Sequence, residues 1–419
     1  MTDPLPRRGL LGLTFDPERP FTVARVLDQG PAHRAALCPG DTLTRLGDTP
    51  LDSLDARHRA LQSLSPGAPL AVAFLRDGSP HQRTLTPIER PREAHTRYHH
   101  TAGPYGRLRV LATGPEAPAR AVMLYLQGVG THSVESRPES PLGALLSALG
   151  EAGVTVLRVE RTGIGDSEGP RPQTLGFFDA LADCQRLVDW AAAHPVYGAR
   201  PLTLFGHSLG GLWASLVAAH PAVRSQLLYG VGSTPWPEYL ARHARTMLDL
   251  APHPEGEAWR EARALRDHWL LDKRRSFDEL GAICPDFAAN PSRYGVAPDG
   301  TFDGHGLRFW QELSAIDPVG PLCEAAKPST VAWGDCDFQS YRDEHEALAR
   351  ALAAAHPGAA RYETWPDTDH GFVHRRSMAE SHHRWGQGPL SGVVLGRVMG
   401  HLDWAETAHA SRASLIESR

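Results

Sequence analysis

Apolar positions follow two regimes along the chain. Up to about residue 88 they come in short alternating runs. FTVARV (21–26) and LAVAFLRDG (70–78) alternate in this way, and QRTLTP (82–87) follows a Gly-Ser-Pro turn, so all three read as strands. SLDARHRALQSL (53–64) instead places Leu54, His58, Leu61 and Leu64 at helical spacing behind a serine N-cap. PIERPREAHT then interrupts both patterns with charges and prolines. The division expected is a small β-rich domain at 8–88, a linker at 89–97, an α/β domain at 98–409 and a C-terminal tail at 410–419.

Within the second domain, AVMLYL (121–126), VTVLRVE (154–160), LTLF (202–205), LLYGVGS (227–233), STVAW (329–333) and RYETW (361–365) read as buried strands separated by helical patterns. About 95 residues separate LLYGVGS from STVAW, far more than a simple crossover. Amphipathic stretches at 236–250 and 257–272 predict a helical cap spanning about 234–318. Trp236, Trp259, Trp269 and Trp310 lie there with Phe277, Phe287, Phe302 and Phe309. They could line an apolar acyl or side-chain pocket, or form the cap's own core; for any single aromatic, the core is the simpler expectation.

Composition narrows the setting. The chain has 419 residues, too many for one ordinary domain, and 41% hydrophobic with 22% charged residues, a globular mix. The net charge of −5 gives no reason to expect nucleic acid or an anionic membrane as partner. No run approaches the ~18 apolar residues of a spanning helix, and the first residues carry no apolar leader pattern, so a cytoplasmic location is expected. Five scattered cysteines without C-x-x-C spacing read as buried thiols. The histidines, though numerous, lack zinc-site spacing.

The chemistry concentrates at PLTLFGHSLGGLWASLVAAH (201–220), where a short strand runs into Gly206-His207-Ser208-Leu209-Gly210 and then a helical stretch. This is G-x-S-x-G in the strand–turn–helix setting of a nucleophile elbow, with small neighbours around a strained serine. Downstream, STVAWGDCDF (329–338) supplies an acidic turn after a strand, and RYETWPDTDHGFVH (361–374) supplies a loop histidine.

GHSLGG, GIGDSEG (163–169) and DHGF (369–372) together resemble the α/β-hydrolase superfamily, closest to its serine aminopeptidase and acyl-esterase-like members, over residues 98–409. The fold class expected is therefore α/β: a mostly parallel sheet flanked by helices, with a helical cap insertion. The resemblance implies Ser208 as nucleophile, His370 as base and Asp337 as acid. Asp335 on the same turn is the alternative acid, and His374 the decoy for the base. The oxyanion hole would use the backbone N–H groups of Leu209 and Val129, the latter in the loop after AVMLYL. Gln127-Gly128 stands where many relatives have His-Gly. GIGDSEG reads as a tight structural loop, because no Gly-Lys follows it to cradle a phosphate.

GLLGLTF (9–15), VARVLDQGPAHRAALCPGDTLTRLGDTPL (23–51) and LAVAFLRDG resemble a PDZ domain of the bacterial, protease-associated kind. That implies a loop at Leu10, Leu11, Gly12 and Leu13 whose amides meet a peptide's C-terminal carboxylate, with Leu11, Gly12 and Leu13 as the binding residues. Ala36 departs from the family, which usually carries glycine there.

The function expected is a serine hydrolase cleaving a carboxylic ester or a peptide or amide bond through an acyl-enzyme, with no cofactor and no metal. Acyl transfer by the same residues is one alternative. A catalytically silent scaffold that binds partners through the PDZ-like domain is the other. Partners expected are an acyl ester or peptide substrate and a protein or peptide C-terminus, without nucleic acid or membrane.

Overall fold

The computed structural model describes residues 5–117, 119–252 and 256–417. The large domain is built on one eight-stranded sheet. From edge to edge its strands are Ala360–Trp365, Ser329–Gly334, Val223–Tyr229, Leu202–His207, Ala121–Leu126, Val154–Val159, Gly106–Thr113 and Thr96–Gly103. The first six run parallel, and the last two are antiparallel additions. Alternation along each strand sorts the core into two layers. Val122, Leu124 and Leu126 pack with the helices Phe177–Ala193 and Leu209–Val217. Met123 and Tyr125 pack with Pro141–Glu151 and Val394–Glu417. Both faces are covered, which is why these strands read as continuous apolar runs.

The strand read at 227–233 is shifted: it spans Val223–Tyr229 and ends where Gly230, at φ +67°, turns the chain. Between it and Ser329 lie the cap helices Trp236–Leu250, Gly256–Asp267, Phe277–Ile283, Pro285–Ala289 and Leu307–Leu313, with a hairpin of Thr301–Phe302 and His305–Gly306.

In the small domain, the helix Leu54–Gln62 starts on Ser53, whose Oγ accepts from the Ala56 N–H at 3.2 Å. Strand Leu70–Arg76 turns at Asp77-Gly78, both at positive φ, into Ser79–Leu85. The Gly-Ser-Pro turn read from sequence is therefore one Asp-Gly step earlier, and Pro80 is tolerated because its strand is at the sheet edge. Leu11, Val23, Leu43, Val72 and Phe74 form this domain's own core.

Residues 89–97, read as a linker, are more engaged than their composition suggests. Ile88–Glu89 pairs with Gly9–Leu10, Thr96 opens the large sheet, and Glu93 forms an ion pair with the fully buried Arg158. The final helix continues to Glu417, through most of the segment read as a tail. Polar contacts join the domains: Arg7 Nη1 lies 2.6 Å from Asp166 and 2.7 Å from Glu135, and a His58 ring nitrogen lies 3.2 Å from the Gly169 carbonyl. Among the described residues no helix is long and apolar enough to cross a membrane.

Candidate active site

Ser208 stands between the strand Leu202–His207 and the helix Leu209–Val217 at φ 56°, ψ −131°, a backbone conformation that L-residues rarely adopt. Its N–H donates to the Tyr229 carbonyl and its carbonyl accepts from the Gly211 N–H, both at 2.8 Å. The flanking glycines are required by close approach. A Cβ on Gly206 would sit 2.5 Å from Gly211 Cα, and one on Gly210 would sit 1.9 Å from the Leu126 oxygen. The strand and helix thus meet too tightly for any side chain but that of the residue at the apex.

His370 and Asp337 arrive from loops after neighbouring strands. His370 Nδ1 lies 2.7 Å from Asp337 Oδ2, and both residues are buried. Burial alone would raise the Asp337 pKa. His370, the Ser340 hydroxyl at 2.6 Å and the Gln339 and Ser340 N–H groups outweigh burial and hold it below the usual carboxylate range. Asp335 makes no contact with His370 among the described residues: its N–H donates to the Trp365 carbonyl, and its Oδ1 is buried with no hydrogen-bond partner among them. His374 is exposed, its backbone N–H donates to the Pro389 carbonyl, and no contact joins it to Asp337 or Ser208 among the described residues. A Cβ on Gly230 would fall 2.7 Å from the His370 ring, so the turn after Tyr229 leaves room for the imidazole only because it is glycine.

The loop after Ala121–Leu126 lies against the serine, since a Cβ on Gly128 would be 2.9 Å from Ser208 Cβ. Three successive carbonyls of that loop are occupied. Arg161 donates to those of Gly128 and Gly130, and His305 Nε2 donates to that of Val129 at 2.6 Å. The amides of Val129 and Leu209 donate to no protein acceptor among the described residues. Fixed carbonyls and free amides are what an anion-stabilising loop needs.

Residues 117–258 match the family model for serine aminopeptidases of the S33 group, and residues 9–86 match that for PDZ domains. Taken with the sheet order and the elbow, these matches decide the fold. The chain has an α/β-hydrolase fold with an N-terminal PDZ-like domain. No curated protein matches it. Among solved structures it is similar to Est1E from Butyrivibrio proteoclasticus, at 16% identity over 76% of this chain and 100% of that one, TM-score 0.43. It is also similar to a Pyrococcus furiosus esterase, at 14% over 74% and 89%, TM-score 0.42. A third is DcsB in complex with its substrate analogue, at 16% over 75% and 99%, TM-score 0.47.

Beside Ser208 the hydrolase has a narrow, mainly apolar cavity of about 60 Å³, lined by Leu209, Leu212, Val231, Trp236, Leu313 and Ile316 among others. That is room for a few water-sized groups. Of the cap tryptophans, Trp236 alone borders it among the described residues. Trp310, Phe302, Phe287 and Phe309 are buried in the core that joins the cap to the large domain, with Trp310 stacked on both Trp236 and Phe302, and Phe309 against Phe177.

Several residues around the site carried no signal in the sequence. His207, beside Ser208, is buried and its pKa is pushed down to about 3 by loss of water, so the ring is neutral. Its Nε2–H donates to the His370 carbonyl at 2.8 Å, leaving Nδ1 to accept from Tyr125. Buried His345, lowered to about 4 for the same reason, accepts from the Val231 N–H at 2.9 Å and steadies the turn that follows Gly230. Asp369 braces the His370 loop through the N–H groups of Gly371 and Val373, and pairs with Arg375. GIGDSEG wraps the Glu160 carboxylate: the Asp166 N–H donates to it at 2.6 Å, and a Cβ on Gly165 would be 1.9 Å from it. Burial raises Glu160 to about 7.

Proposed function

We propose that this α/β-hydrolase cleaves a carboxylic ester or amide through an acyl-enzyme formed on Ser208. His370 takes the Ser208 hydroxyl proton as Oγ attacks the substrate carbonyl. Asp337 accepts the Nδ1–H of the imidazolium and stabilises its charge. The Val129 and Leu209 amides receive the developing oxyanion. His370 then gives its proton to the leaving alkoxide or amine as the bond to it breaks. Water, deprotonated by the same histidine, attacks the acyl carbon, and the acid is released as Ser208 regains its proton.

The observation that carries this reading is the buried 2.7 Å contact between His370 and Asp337, in a fold that sets Ser208 at the apex of a strained turn. The cavity beside Ser208 supports an apolar acyl group on that side of the scissile bond. Intact-mass measurement after a fluorophosphonate probe tests it. One adduct is expected on the wild type and none on Ser208→Ala. Equal labelling of both proteins, or none on either, would overturn the assignment.

We also read the PDZ domain as a capture site for a free C-terminus, with the carboxylate held by the loop at Leu11, Gly12 and Leu13. Gly12 sits at φ +71°, and the amides of Leu11 and Gly12 donate to no protein acceptor among the described residues. Both support that reading.

A further inference from the structure

A groove of about 980 Å³ runs between the PDZ domain and the hydrolase domain. One side is the strand Leu13–Phe15, which among the described residues pairs with Val23–Val26 alone and so leaves its other edge free to accept a strand. Another is the helix Leu54–Gln62, through His58, Leu61 and Gln62. The remaining wall belongs to the other half of the chain: Arg90, Arg137, Gly163 and Gly165. Leu27, 61% exposed, adds apolar surface.

The charge along these walls is one-sided. Four arginines line the groove (Arg8, Arg25, Arg90 and Arg137) against one carboxylate, Asp28. Arg90 is matched, by Glu135 and Glu160. Arg25 and Arg137 are not. Arg8 gives its guanidinium to the carbonyls of Gly165 and Ser167 and feels the charges of Asp166, Glu160 and Glu168, while Arg25 and Arg137 are exposed, with no carboxylate within salt-bridge distance among the described residues. Unmatched cations around a free strand edge make a surface complementary to an extended, acidic segment.

We propose that this groove, shared by both domains, takes the C-terminal segment of an acidic polypeptide. The segment adds as a strand to Leu13–Phe15, and Arg25 and Arg137 meet its Asp and Glu side chains. The proposal rests on the reading of the Leu11–Leu13 loop as a carboxylate site, and adds that the hydrolase domain helps select the partner.

Fluorescence anisotropy on the full-length Ser208→Ala protein tests it, since that variant cannot consume a peptide through the serine. The probes are labelled hexapeptides ending in Leu-Val: one acidic, one neutral, one basic, and the acidic one with an amidated C-terminus. The acidic free acid is expected to bind roughly tenfold tighter than the neutral peptide, a gap that narrows with added salt. Arg25→Glu combined with Arg137→Glu should abolish that gap while the neutral peptide keeps its affinity. If neutral or basic peptides bind as well as the acidic one, the charge selection is wrong and the carboxylate site stands. If the amide binds as well as the acid, the carboxylate site is wrong too. Binding by none of the probes removes the groove as a docking site. Fluorophosphonate labelling of the wild type is independent of all these outcomes.

Discussion

Several turns in this molecule hold a non-glycine residue at positive φ, and two of them, in different domains, lie at nearly the same value. Ser208 sits at 56° in the hydrolase domain and Ala36 at 55° in the PDZ domain. Their surroundings differ. The Ser208 turn is over-determined: a strand, a helix and the Gly128 loop close on it at distances that exclude a Cβ, and a histidine–aspartate pair stands nearby. Ala36 follows the one-turn helix Pro31–Arg34, with its N–H on the His33 carbonyl and the Leu37 N–H on that of Ala32. That is the helix-ending position which glycine normally fills. Strain held by several elements beside reactive groups has a use; strain at a helix end beside none is a local cost.

The largest expected effect keeps the elbow's strain and removes its chemistry. Asp337→Asn preserves shape but can no longer hold the Nδ1–H tautomer of His370, so kcat for a simple ester should fall by roughly four orders of magnitude. The thermal midpoint should move far less. Steady-state kinetics with a melting curve on the same preparation checks both. A mutant retaining a tenth of wild-type kcat would mean that Asp337 is not the orienting acid, and Asp335 would be the next to change.

Much of this site could be read along the chain because its signals are local. Strand, Gly-His-Ser-Leu-Gly and helix are contiguous, and the acid and histidine each follow an apolar strand. What stayed hidden depends on contacts between distant segments. Arg161 is one arginine among many until it is seen holding two loop carbonyls from 31 and 33 residues away. His305, on the cap hairpin, reaches Val129 across 176 residues. Glu93 looked like one more charge in a linker because its partner, Arg158, lies in an apolar strand 65 residues on. The Asp335–Asp337 choice was open for the opposite reason: both lie on one turn, and only the direction of their side chains separates them.

The next effect tests whether the loop that forms the elbow's second wall depends on its distant anchors. Buried Arg161 packs its guanidinium 4.6 Å from the Trp213 ring centre while fixing the carbonyls on either side of Val129. Arg161→Gln should release the loop and lower kcat roughly ten- to a hundredfold, less than the roughly hundred- to thousandfold cost of removing an oxyanion donor outright, with KM little changed. His305→Phe keeps the ring stacked on Phe309 but removes the donor to Val129, and should cost less, about tenfold. Both act by positioning, so the split between kcat and KM is the discriminating readout. Parallel losses in folding stability, with kcat per folded molecule intact, would reduce both residues to structural roles.

The smallest effect bears directly on the two turns. Ala36→Gly should relieve the left-handed strain and stabilise the PDZ domain by about 0.5–1 kcal/mol, the strain relieved exceeding the unfolded-chain entropy that glycine adds. Ester hydrolysis should be unchanged. Ser208→Gly makes the matching change at the elbow: the same relief of strain, but with the proposed nucleophile gone, so hydrolysis should be abolished. Urea unfolding of the two variants, beside their rates, sets stability gained against activity lost at each turn. If Ala36→Gly proved destabilising, the Ala36 methyl would be contributing packing that outweighs its strain, and that turn could no longer be described as a local cost.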